Sequence, residues 1–223
     1  MITASKKWLL VFLVGYGILV GLPFFAPVEM RLGWQGVGRA IYLIYGFLCH
    51  QLPERSLFIF GAKPMYSLAE IQSVWQNTNN PIILRQFIGN SQMGWKVAWS
   101  DRMISLYGGI WLAGLVWGAL PRPAKSVSVW FFILLGAPMV LDGFTHFISD
   151  FSGLAAGFRF TNDWLAVLTN HAFAPSFYVG DALGSFNSWM RWITGFLFSF
   201  GLVWWIFPLL DEQFTVNLSP NTV

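Results

Sequence analysis

Four polar residues in one otherwise apolar stretch, Asp142, Thr145, His146 and Ser149, stand out as able to do chemistry. Their spacing of i, i+3, i+4 and i+7 places all four on one face of a helix. A second apolar stretch repeats the pattern with Asn187, Arg191 and Thr194. An Asp at the centre of a membrane helix costs about 2.5 to 3.5 kcal/mol, so an ionisable residue there marks a candidate site by default. Asp, His and Arg together offer charge pairing, ligand binding, metal ligation or a proton relay. Arg191 is the expected partner of Asp142, ahead of Arg102 and Arg55; a bare Asp–Arg pair need do no more than fix the register of two helices. The third polar group is Cys49, His50 and Gln51, followed by Pro53 and Arg55. A Cys beside a His is a soft-ligand pair, but a metal centre needs three or four ligands, which here would be Cys49, His50, Asp142 and His146.

The elements that position these residues follow from charge distribution. Of 223 residues 56% are hydrophobic and 10% charged, against about 25% charge in a soluble domain. Uncharged runs at 8 to 28, 103 to 121 and 192 to 210 each approach the ~20 residues that span a bilayer. The fold class expected is an all-α membrane protein: a bundle of four transmembrane helices plus a fifth helical segment that crosses or lies in the interface. The four spans are Trp8 to about Pro27, Met103 to Leu120, about Val127 to Ser149 with Pro138 inside, and Ser188 to Leu210. Segment 40 to 51 is the fifth. Pro53 disfavours helical geometry at Leu52, so that helix should end near Gln51 with Arg55 folded back onto its last carbonyls.

Residues 1 to 223 form a single integral membrane domain on this reading, with two structured extramembrane loops on one face, at 62 to 99 and 150 to 186. The lysines at 6 and 7 precede an apolar run longer than a signal-peptide core, which reads as a retained first span. Ser67 with Glu70 forms a capping box for a short amphipathic helix, and Thr161 or Asn162 can cap another through Asp163 to Leu168. His171, beside Asn170, reads as a surface residue. Because the last three spans are consecutive, Arg102, Asp142, His146 and Arg191 must lie toward one membrane face, and Cys49, His50 and Gln51 lead into it.

Several function classes are excluded or weakened. The net charge of +3 comes without any basic cluster longer than two residues, so nucleic acid is not an expected partner. One cysteine rules out an intramolecular disulfide. The sequence holds no HExxH, GxSxG, P-loop or dinucleotide-binding glycine pattern, names no catalytic residue and requires no cofactor.

The stretches CHQLPERSLFIFG at 49 to 61, RMISLYGG at 102 to 109, LDGFTH at 141 to 146 and FNSWMRWITGFLFSFG at 186 to 201 resemble the bacterial membrane proteins grouped as domain of unknown function 2085. That family's pattern is CHQxPxRS, CxRCTGIYxG, DGxTQ and TNxLRxxTG, in that order. The resemblance covers about Phe47 to Trp205 and makes residues 1 to 28 an added N-terminal span. It implies candidate binding residues Cys49, His50, Gln51, Arg55, Arg102, Tyr107, Asp142, Thr145, His146, Asn187 and Arg191. Where the family has CxRC this chain reads Ser100, Asp101, Arg102, Met103, and His146 replaces the family's Gln.

The expected function is that of a multi-pass, non-enzymatic membrane protein, an accessory subunit whose one-sided polar cluster binds a ligand or partner. The expected partners are the lipid bilayer and a membrane protein or a second copy of the chain. The alternatives are a metal or redox site built from Cys49, His50, Asp142 and His146, and transport of a small solute or protons. The expected location is the bacterial cytoplasmic membrane, with four full spans and the polar face outside.

Overall fold

The structure is a computed structural model that describes residues 4–120 and 125–216. Most of the turn expected at Pro121, Arg122, Pro123 and Lys125 therefore lies outside the described residues. Helix α1 (Ala4–Gly21) continues through a 3-10 turn at Leu22–Phe24 into α2 (Phe25–Arg31). Gly33, at φ +85°, then reverses the chain into α3 (Gln35–Tyr45). At ~1.5 Å per residue α3 is only about 16 Å long, against a hydrocarbon core of ~30 Å. It folds back on α2 as a hairpin against the polar end of the molecule.

The α3 helix ends six residues before Gln51, earlier than the sequence suggests. Cys49 N–H still donates to Tyr45 O at 3.0 Å, but Gln51 adopts a left-handed φ of 54° and turns the chain away. Nor does Arg55 cap the helix. Gln51 Nε2 donates to Tyr42 O at 2.9 Å and Arg85 Nη2 to Gly46 O at 3.1 Å, satisfying those carbonyls from other directions.

The chain next builds a cap over one end of the helices. After a 3-10 turn at Pro53–Arg55 come β1 (Ser56–Ile59), α4 (Leu68–Val74), α5 (Pro81–Leu84), β2 (Gly89–Asn90) and β3 (Gly94–Ser100). The three strands form an antiparallel sheet in the order β1-β3-β2, which corrects the all-α expectation: the molecule is mostly helical with a small sheet. Strand β3 reads Gly-Trp-Lys-Val-Ala-Trp-Ser, and its Val97, Ala98 and Trp99 are fully buried between the α2–α3 hairpin and the rest of the cap. That double burial removes the period-two alternation by which a strand is recognised. Gly61 is required at the edge, since a Cβ there would lie 1.9 Å from Met93 O. The expected capping box at α4 is formed, with Ser67 Oγ accepting from Glu70 N–H and Glu70 Oε2 from Ser67 N–H.

From Ser100 the chain runs straight into a continuous helical stretch: α6 (Asp101–Met103), a π-helical turn at Ile104–Gly108, and α7 (Gly109–Ala119). A π turn releases carbonyls from the regular ladder. Ser199 Oγ donates to Leu106 O in this turn at 2.7 Å. The chain then forms α8 (Val129–Asp150), three short helices α9 (Phe158–Thr161), α10 (Asp163–Leu168) and α11 (Pro175–Tyr178), and the long α12 (Phe186–Val216). The predicted α10 is present, but Asn162 does not cap it: its Nδ2 turns inward to Arg159 O and Tyr178 O.

Contacts fix the direction of each long helix. At one end Trp8 Nε1 donates to Asp211 at 3.0 Å and its ring lies 6.0 Å from that of Trp117. At the other, Trp99 Nε1 donates to Val20 O at 3.3 Å and Ser105 Oγ to Arg191 O at 2.9 Å. So the 101–119 stretch and α12 run in the same direction, antiparallel to α1, and α8 packs along α12. Three helical runs are long and apolar enough to cross a membrane: Lys7–Arg31, Val129–Asp150 and Phe186–Phe214. Their outward faces expose large apolar side chains such as Val14, Ile18, Leu134, Val140 and Phe144.

Candidate binding site: an arginine–aspartate cluster under the cap

Where the cap meets the helices, four arginines and four aspartates form two ion-pair chains. The first runs Asp150–Arg55–Asp181–Arg191–Asp101. Arg55 reaches Asp150 with both terminal nitrogens at 3.2 Å and Asp181 through Nε at 3.0 Å. Arg191 Nη1 donates to Asp181 at 2.6 Å and its Nε to both oxygens of Asp101 at 2.7 and 2.8 Å. The second chain is Arg102–Asp142–Arg159. Arg102 Nη2 donates to Asp142 Oδ2 at 2.6 Å, and Arg159 Nη2 donates to the other oxygen.

Local structure explains who pairs with whom. Asp101 and Arg102 are consecutive at a helix start, so they point about 100° apart, the first toward α12 and the second toward α8. Arg191 lies just inside α12 and is drawn to Asp101, and to Asp181 in the turn that leads into the helix. The expected Asp142–Arg191 pair is therefore not formed. Asp142 takes Arg102 instead, together with Arg159, a loop residue on α9. Arg159 is anchored through its backbone: its N–H donates to Ser149 Oγ at 2.9 Å, and its carbonyl accepts from Asn187 Nδ2 at 2.6 Å and Asn162 Nδ2 at 2.8 Å. Gly157 allows that approach, since a Cβ there would stand 2.1 Å from Ser149 Oγ.

Eight charges that sum to zero satisfy the requirement that buried charges be paired. Outside the helices, burial alone would raise Asp181, but Arg55 and Arg191 hold its carboxyl below the usual range. Burial likewise opposes the charge on Arg55, and Asp181 and Asp150 outweigh it. Deeper in the cap, burial pushes the Lys96 ammonium down to about 7. Its Nζ donates to Gln51 O at 2.6 Å and Arg85 O at 2.7 Å. Burial also raises nearby Glu54, both of whose carboxylate oxygens are sealed without a hydrogen-bond partner among the described residues.

The candidate residues separate into two groups. Arg55, Arg102, Asp142, His146 and Arg191 join in the cluster, and Asn187 holds Arg159 in place. His146 Nε2 lies 3.2 Å from Arg159 Nη2. A guanidinium can only donate, so this nitrogen accepts and the ring hydrogen sits on Nδ1. Cys49 and Gln51 stay behind in the α3–β3 junction, where Cys49 Sγ accepts from Ser100 N–H and Gln51 N–H at 3.3 Å. Tyr107 stacks its ring 4.9 Å from that of Trp99, and Thr145 donates to the carbonyls of Leu141 and Asp142 on its own helix. His50 is exposed at a rim. Cys49, His50, Asp142 and His146 therefore do not form one ligand set. Among the described residues no three His, Cys, Asp or Glu side chains are grouped to hold a metal ion.

A cleft of about 520 Å³ opens beside the cluster. Its polar wall includes His50, Arg55, Arg102, His146, Asp150 and Arg191, and its apolar wall Met103, Phe147, Phe151 and Leu154. Phe147 and Phe151 are largely exposed on the outer face of α8.

The chain is similar to an uncharacterised protein of Methanocaldococcus jannaschii, at 24% identity over 215 residues, covering 93% of this chain and 96% of that one. The likeness thus extends over most of both chains. No family model and no solved structure matches the chain.

Proposed function

We propose that this is a four-span integral membrane protein whose capped end binds a ligand or partner subunit without turning it over. The cleft carries the reading: a cavity with a charged inner wall and an aromatic outer wall, set where the cap meets the helices. The charges behind it are already paired, which suits a rigid binding surface better than a group poised to exchange protons. Counting the 101–119 stretch as the fourth span agrees with the contact between Trp8 and Asp211, which puts the first turns of α1 and the last turns of α12 on one side. With α3 too short to cross, Lys7 and Lys125 lie opposite the cleft. By the positive-inside rule that side is cytoplasmic and the cleft faces outward. Kinship with the domain of unknown function 2085 family belongs to the same proposal, supported by the four ordered motifs.

Isolation of the full chain from native membranes in mild detergent tests the binding reading. The expected result is a stoichiometric companion, lipid or polypeptide, that survives washing. A preparation that carries no companion, and that gains no thermal stability from total membrane extract, would overturn it.

A further inference from the structure

Two residues of the cleft, Arg102 and His146, carry hydrogen-bond donors that the ion-pair network does not use. Arg102 gives only Nη2 to Asp142; its Nη1 and Nε have no partner among the described residues and are not sealed from the cleft. His146 is 5% exposed, and with Nε2 accepting from Arg159 its Nδ1–H is likewise left without an acceptor among the described residues. Donors that face the cleft with no protein acceptor favour a ligand rich in acceptors. The third nearby group is His50, at the rim. The acceptor that competes is Asp150, and it is held bidentately by Arg55. The cleft therefore offers unused donors to its occupant, on side chains whose charges are already balanced.

Deepening the binding reading above, on which it rests, we propose that the cleft binds a phosphate oxyanion, with Arg102 and His146 as its donors. The apolar wall identifies what such a group would be attached to. Phe147 and Phe151 continue the cleft onto the outer face of α8, which also exposes Val140 and Phe144. A phosphate seated on Arg102 would have its substituent directed along that aromatic edge, as a lipid headgroup at the membrane surface would. Free phosphate shares the headgroup chemistry and lacks the tail.

Binding to the full-length protein in detergent is to be measured with three probes: inorganic phosphate, dihexanoyl phosphatidic acid, and dihexanoyl phosphatidylcholine as a zwitterion with the same tails. Phosphatidic acid binding tighter than the other two assigns the site to an anionic lipid. Equal binding of inorganic phosphate keeps the phosphate site and assigns it to the free anion. Two variants locate the site. Arg102→Gln removes the donor but also a partner of Asp142. Gly143→Leu leaves every charge in place and fills the cleft, since even a Cβ at Gly143 would lie 3.0 Å from Arg102 Nη1. Loss of one charge-assisted hydrogen bond corresponds to roughly 10- to 100-fold weaker binding, and both variants should show at least the lower figure. Equal binding of all three probes, or no change in Gly143→Leu, overturns the proposal. If a native companion is retained while no phosphate probe binds, this inference fails and the binding reading stands.

Discussion

Asp142→Asn is the most informative single change to the cluster, because it keeps the side-chain shape and removes only the charge. Asp142 is 4% exposed and accepts from two guanidinium groups, Arg102 at 2.6 Å and Arg159 on the other oxygen. In the variant the amide oxygen still accepts from one arginine, while the NH2 turns a donor toward the other. Neither arginine then has an anionic partner, and leaving a buried charge uncompensated costs about 3 to 5 kcal/mol. Arg159→Gln alone should cost less, about 1 to 3 kcal/mol, because Asp142 keeps Arg102 and charge-assisted bonds contribute about that much. The double variant should then show a coupling of about 1 to 3 kcal/mol, typical of residues in one network. Arg191→Gln breaks pairs with Asp101 and Asp181 and should be costly too, yet nearly additive with Asp142→Asn, because the two share no partner. Unfolding followed by tryptophan fluorescence in mixed micelles gives all the required free energies. A coupling of Asp142 with Arg191 as large as that with Arg159 would refute the assignment of the two ion-pair chains.

Three further outcomes are expected. Lys96 has a folded pKa of about 7 against an ordinary 10.5, so the unfolded chain binds more protons between those values. Stability should be greatest above 10.5 and be lost as pH falls to 7, a span of a few kcal/mol at most; Lys96→Met should flatten that slope in thermal denaturation, and an unchanged slope would contradict the reasoning. Gly157→Ala should displace Arg159 from Asp142, because its Cβ would collide with Ser149, and cost about 1 to 3 kcal/mol by overpacking; wild-type stability would show that the loop has room to move. Cys49 is 5% exposed and its sulfur is engaged by Ser100, so maleimide should label it only after unfolding. Cys49→Ser should leave ligand binding unchanged, and loss of binding would return the cysteine to the site.

The long helices were legible because their signal is local: uncharged runs bounded by charges need no tertiary information. The same holds for the α4 capping box, whose Ser67 and Glu70 are three residues apart. Strand β3 was not legible, because burial on both faces removed its alternation and its partner β1 lies about 40 residues earlier. Convergence of Arg102, Asp142, His146 and Arg191 followed from connectivity alone. Which arginine met Asp142 did not, since that depends on the rotation of each helix about its axis and on a loop folding inward. Arg159 and Asp181 carry no local motif; both sit in the loop between α8 and α12, and only its return over the helix ends brings them to the cluster. The CHQ segment shows the opposite failure. Its spacing was conspicuous, but Gln51 turned into the left-handed region, Cys49 was directed into the cap, and only His50 reached the cleft.

Photocrosslinking from α8 tests the central claim that an occupant sits in the cleft. Phe147 lines the cleft and Val140, seven residues earlier on the same helix face, does not, although both are well exposed. With a photoreactive residue placed at each position in turn and irradiated in native membranes, position 147 should yield one dominant adduct mass and position 140 the mixed masses of bulk lipid. The same mixture from both positions would contradict the account.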